Sequence, residues 1–142
     1  VVVIDEGGHW RGSGTAWALA EAGHHVTLVT PDAFAGAGLV RSAADVPLRR
    51  RLAALGVTVL ADSAVAEWLG NGGGAEVVSL LTGASTRVLA DDLVVSTTNR
   101  SEDSLATALE ARGATPARLG DAAAPRLAAL AFHDGRAWAI GL

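Results

Sequence analysis

The 142-residue chain contains no cysteine, no methionine, no tyrosine and no lysine. Without cysteine, a disulfide framework, a thiolate zinc site and an iron–sulfur cluster are excluded within this segment. All eleven basic residues are arginine, which with the abundant alanine points to a GC-rich genome more than to a mechanism. The net charge of −4 argues against nucleic acid or an anionic membrane surface as a partner. Purely apolar runs extend over only a few residues, too short for a transmembrane helix. No cationic leader with a long apolar stretch opens the chain, so no signal peptide is expected, and the expected location is cytoplasmic. The missing methionine and the opening inside an apolar strand are read as marks of a portion of a longer chain.

What is present describes a folding chain. Half the residues are hydrophobic and 18% are charged, the balance of a domain with a core and not of a disordered tail. The length suits about one domain. The most informative stretch is Val1-Val2-Val3-Ile4-Asp5-Glu6-Gly7-Gly8-His9-Trp10-Arg11-Gly12-Ser13-Gly14-Thr15-Ala16. It reads as a buried parallel strand running through glycines into a helix. A Rossmann-type βαβ unit uses that layout to set backbone N–H groups and a helix N-terminus against a pyrophosphate. The usual G-x-G-x-x-G begins straight after the strand, and here Asp5 holds the place of its first glycine.

Hydrophobic periodicity predicts the remaining elements. A helix from about Gly12 to Ala22 turns Ala16, Leu19 and Ala20 inward and closes at Gly23. His25–Thr30 is the second strand, followed by a small-residue loop, Ala33–Gly38. A helix from Pro47 to Leu55 carries Leu48, Leu52 and Leu55 as one stripe, with Arg49, Arg50 and Arg51 mostly facing water. Val57–Leu60 is the third strand. Three short antiparallel strands follow, Ala64–Leu69, Ala75–Leu81 and Thr86–Ala90, joined through Asn71-Gly72-Gly73-Gly74 and Thr82-Gly83-Ala84-Ser85. Leu93–Thr97 returns to the parallel sheet. A helix from Glu102 to Arg112 is expected to turn Leu105, Ala108 and Leu109 inward; an extended segment, Ala117–Leu119, then precedes a last helix near Pro125. The fold class is therefore α/β: a Rossmann-like parallel sheet with helices on both faces and an inserted three-stranded antiparallel β-meander.

Three stretches carry a family resemblance: VVVIDEGGHWRGSGTAWALAEAGHHVTLVTP (1–31), DDLVVSTTNRSEDSLATALEARG (91–113) and LGDAAAPRLAALAFHDGRAWA (119–139). Together they cover about half the chain, and they resemble the C-terminal part of the trimethylamine dehydrogenase and 2,4-dienoyl-CoA reductase branch of the old yellow enzyme family. The last stretch is the most specific, a G-D-A-x-A-P-R followed by a helix carrying D-G-R. The resemblance implies a parent in which an N-terminal flavin barrel, with FMN and a 4Fe–4S cluster, precedes FAD-like and NAD(P)-like domains. Residues 1–116 would be the NAD(P)-like domain, and 117–142 the returning strand and helix of the FAD-like one. It implies no catalytic residue in this segment.

Candidate binding residues fall in two places. Gly7, Gly8 and Gly12 supply the close backbone approach that a diphosphate needs, although Asp5 and Glu6 put negative charge there and Trp10 is bulky. Alternatively the glycines serve only the turn and the strand–helix packing. Thr30 ends the second strand, where an acid usually meets the ribose of NAD; Asp32 comes two positions late, and Arg41 is a phosphate partner only if its loop folds back. Gly120 and Asp121 form the second place. There the resemblance sets the aspartate beside the diphosphate and sugar hydroxyls of FAD or ADP; the other reading is a helix cap. Arg126 either approaches a phosphate or is merely solvated, with the second reading preferred, and His9, His24, His25 and His133 show no metal spacing. Trp17 and Trp68 are assigned to the core, whereas Trp10 and Trp138 suit a surface that meets another domain.

The function these readings imply is a dinucleotide-binding-type domain of an FMN-dependent oxidoreductase, of amine dehydrogenase or enoate/dienoyl-CoA reductase type, inactive alone. FAD or ADP, or NAD(P), would bind in this region. The alternative is a non-catalytic scaffold or docking domain that keeps the Rossmann shape without a nucleotide. Expected partners are the parent's flavin barrel and an electron-transfer flavoprotein. Apolar surface around Leu127, Leu130 and Trp138 also invites self-association into a homo-oligomer.

Overall fold

The computed structural model describes residues 1–70 and 72–141. They form two compact units, Val1–Thr98 and Asn99–Leu142.

In the first unit, β1 (Val2–Asp5) leads through the glycines into α1 (Trp10–Glu21). Next come β2 (Thr27–Val29), a 3-10 turn (Ala37–Ser42), α2 (Asp45–Ala54) and β3 (Thr58–Leu60). The meander is β4 (Ser63–Trp68), β5 (Ala75–Ser79) and β6 (Ser85–Val88), and β7 (Leu93–Ser96) completes the unit. The parallel sheet runs β3-β2-β1-β7, so β1 lies inside it, with Val3 opposite both Leu28 and Val94. Four apolar residues in a row suit such a strand, because both of its faces are covered.

Strand alternation then separates two cores. Val3 and Leu28 face one way, with Ala16 of α1 and Leu48 and Leu52 of α2. Val2 and Val29 face the other way, against Ala75 and Val77 of the meander. Helices α1 and α2 thus share one face, and the antiparallel sheet takes the second. The reason is local: the chain between β3 and β7 alternates in period two around glycine turns, a pattern that makes strands. Leu28, Leu48 and Leu52 are wholly enclosed, each contributing roughly 1.5–3 kcal/mol by burial. Trp17 and Trp68 pack beside these cores as expected, and Trp10 is about half exposed. The loop at 71–74 includes Asn71, which lies outside the described residues.

The second unit contains α3 (Ser104–Glu110), a 3-10 turn (Gly120–Ala122) and α4 (Ala128–Ile140). Here the sequence expectations need correction. Helix α3 is shorter than 102–112, and Ala106 is its buried residue, whereas Leu105, Ala108 and Leu109 are exposed. Seven residues make only two turns, too few to present a continuous stripe. Ala117–Leu119 joins no strand ladder among the described residues, although Leu119 is extended. The last helix starts after Leu127, not near Pro125, because Leu127 holds an extended ψ of 144° and postpones the first helical turn. The unit is tied by Arg118, whose guanidinium donates to Asp103 at 2.7 Å and to both oxygens of Glu110 at 2.9 Å.

Candidate functional site

The corner between β1 and α1 is built around a buried carboxylate. Asp5 is the last residue of an interior strand and has no exposed surface. Its Oδ1 accepts the Gly8 N–H at 3.0 Å, and its Oδ2 accepts the Ser13 hydroxyl at 2.6 Å. Ser13 sits one turn into α1 and is equally enclosed. Gly12 is required beside this pair, since a Cβ there would run into Cγ and Oδ1 of Asp5. Charge-assisted bonds of this kind are about twice as strong as neutral ones.

A second layer closes the corner from outside. Gly8 has a φ of +60°, and a Cβ on it would lie 2.5 Å from Oδ2 of Asp32. The Gly38 N–H donates to the Gly8 carbonyl at 3.0 Å, and a Cβ on Gly38 would strike the His9 ring. The loop after β2 therefore does fold back, while Arg41 on it stays exposed. Thr30 is wholly enclosed; its hydroxyl accepts the Asp32 N–H at 3.2 Å. Gly8 and Gly12 thus gather at Asp5, Gly8 and Thr30 at Asp32, while a Cβ on Gly7 would lie 3.6 Å from Cδ2 of His9. Arg11, in the first turn of α1, points to the end of β7 and donates to the Thr97 carbonyl at 2.8 Å.

No nucleophile emerges from this arrangement. The Ser13 hydroxyl donates its hydrogen bond to Asp5, and the His9 ring lies against Gly38 instead of Ser13. No cluster of three potential metal ligands occurs among the described residues. Beside the C-terminal ends of β1 and β2 lies a cavity of about 80 Å³, lined by Glu6, Val29, Pro31 and Ser63 among others. Ligand pockets usually enclose about 300–1,000 Å³. A larger cavity of about 270 Å³ flanks β3, where the Arg49 guanidinium stands 4.8 Å from the centre of the Phe34 ring.

Gly120 and Asp121 belong to the second unit. Gly120 has a φ of +57°, and its carbonyl accepts the N–H groups of Ala123 and Ala124. The Asp121 carboxylate is exposed and takes no hydrogen bond among the described residues. It caps no part of α4, which begins seven residues later. Arg126 pairs with Asp134, a correction to its reading as merely solvated. The sequence places a negative charge at Asp5 but does not disclose its bonds to Gly8 and Ser13. The usable signal was a serine eight residues on, on the helix face that also carries Gly12 and Ala16.

No protein-family model and no curated protein sequence matches this chain. Solved structures do match. Histamine dehydrogenase from Rhizobium sp. 4-9 is 28% identical with a TM-score of 0.86, over 97% of this chain and 22% of that one. The 6-hydroxypseudooxynicotine amine oxidase from Pseudomonas geniculata N1 is 28% identical with a TM-score of 0.84, over 96% and 21%. The chain resembles the trimethylamine dehydrogenase and 2,4-dienoyl-CoA reductase branch. A 2-naphthoyl-CoA reductase in complex with 2-naphthoyl-CoA agrees, at 26% identity and a TM-score of 0.71 over 94% and 20%. All three are oxidoreductases by name, and the chain spans about a fifth of their length. No helix among the described residues is long and apolar enough to cross a membrane.

Proposed function

We propose that this chain serves as the dinucleotide-binding-type domain of an FMN-dependent oxidoreductase of amine dehydrogenase or enoate/dienoyl-CoA reductase type. Alone it has no activity. One observation carries this reading: a parallel sheet ordered β3-β2-β1-β7 with a three-stranded excursion before β7, superposing on histamine dehydrogenase over 97% of its length. In the parent, FMN and a 4Fe–4S cluster would reside in an N-terminal barrel, and electrons would leave to a flavoprotein partner. The domain division at 116 and a cytoplasmic location belong to the same proposal.

Nucleotide binding divides between the two units. Exposed Asp121, behind Gly120, is suited to the sugar hydroxyls of FAD or ADP once the rest of the pocket is supplied. At Gly7, Gly8, Gly12 and Thr30 a specific observation favours the scaffold reading: Asp5 already holds the Gly8 amide. Calorimetry of the folded chain with NADH, NADPH, ADP and FAD tests both. Silence toward NADH and NADPH is expected. Saturable one-site binding of either, abolished by Gly8→Val, would refute the scaffold role of this corner.

A further inference from the structure

We infer that Asp5 is the specificity-determining residue of the glycine corner, an intramolecular anion that keeps nucleoside diphosphates out. The inference rests on the scaffold reading of that corner and names its cause. In a phosphate-binding turn the amides at the helix N-terminus point outward to the ligand. Here the Gly8 amide points to Asp5 Oδ1 at 3.0 Å, and Ser13 holds the other oxygen at 2.6 Å. The aspartyl side chain is short enough to reach both from the end of β1, and it lies wholly beneath the surface. Gly12 has no side chain because the carboxylate fills that space. Two further acidic groups stand at the corner, with Asp32 Oδ2 against Gly8 and Glu6 exposed beside it. The one cation of the first turn, Arg11, is directed to Ser96 and Thr97. A diphosphate would have to displace one bonded carboxylate and approach two more.

The experiment uses the full chain as wild type, Asp5→Gly and Asp5→Asn, titrated with ADP and with NADH by calorimetry. Each is repeated with Asp121→Ala, so that binding in the second unit is subtracted. Wild type should be silent, and Asp5→Gly should bind ADP at least about tenfold more tightly, the factor that about 1.4 kcal/mol gives. Asp5→Asn, which keeps the shape and loses the charge, should gain less, and it decides the matter if Asp5→Gly does not fold. Folded variants as silent as wild type would overturn the role of Asp5 while leaving the scaffold reading intact. A wild type that binds NADH at this corner would overturn both. A second readout needs no ligand: Gly12→Ala should lower the unfolding midpoint in wild type and much less in Asp5→Gly. Equal losses in the two backgrounds would count against the inference.

Discussion

Asp5 and Asp121 both stand beside glycines in turns that suit an anion, yet their surroundings are opposite. Asp5 closes an interior strand, between β2 and β7 and beneath α1, and every oxygen of its carboxylate is engaged. Asp121 is the second residue of a 3-10 turn, its side chain exposed and without a hydrogen bond among the described residues. The two units differ in the same way. The first encloses two cores, whereas the second leaves Leu127, just before α4, and Phe132 and Ile140 on it largely exposed. An acid next to a glycine therefore says little about binding until the number of elements converging on it is known. Convergence consumes the carboxylate at Asp5; its lack leaves Asp121 in solvent.

Paired substitutions can break this contrast. Leu48→Ala in α2 should cost about 2–5 kcal/mol of stability, as deletions in closed cores do. Phe132→Ala, at a position 80% exposed, should stay within about 0.5 kcal/mol. Urea denaturation measures both, and an equal loss at Phe132 would mean that the face of α4 is covered in solution. Asp5→Ala, which strands the Gly8 amide and the Ser13 hydroxyl, should cost about 1–3 kcal/mol. Asp121→Ala should be neutral to within about 0.5 kcal/mol in the same assay. If the two aspartates behave alike, burial is not what distinguishes them.

Smaller effects sharpen the picture of the surface. Arg118→Ala removes the pairs to Asp103 and Glu110, and because these groups are partly solvated the loss should be about 1 kcal/mol or less. It should shrink further in high salt. The smallest expected effect concerns Glu21, whose carboxyl is held below its ordinary value chiefly by its hydrogen bond from Arg51. The Trp17 indole acts in the same direction as a nearby dipole, since Nε1 of Trp17 makes no hydrogen bond among the described residues. A depressed carboxylate contributes stability that is present at neutral pH and lost as pH falls through the lowered value. NMR titration of Glu21 should therefore return to the ordinary range in Arg51→Ala, with little change in the acid unfolding of a group so exposed.

Much of the first unit is legible in the sequence alone. Val1–Ile4 reads as doubly covered because four apolar residues run together, and Leu48 with Leu52 marks a helix face at a four-residue spacing. The meander follows from alternation around glycine turns. The second unit was less legible because its elements are short: Leu105 and Leu109 have helical spacing, yet a seven-residue helix gives them no face to bury. The candidate site was half legible. Gly8 and Gly12 were marked by their positions, but the segments that close over Gly8, at Gly38 and Asp32, come from some thirty and twenty-four residues away. No local pattern encodes such an approach.

The sequence by itself determined the alternation of elements, since periodicity and glycine placement are properties of neighbouring residues. It also determined the chemistry the segment lacks, because absent side chains cannot act. Only the tertiary structure decided where the Asp5 carboxylate points. That choice depends on β1 being interior, on α1 bringing Ser13 over the strand end, and on a distant loop shutting the turn. Its bonds to Gly8 and Ser13 span only three and eight residues, yet they form only once the helix has packed over the end of the strand.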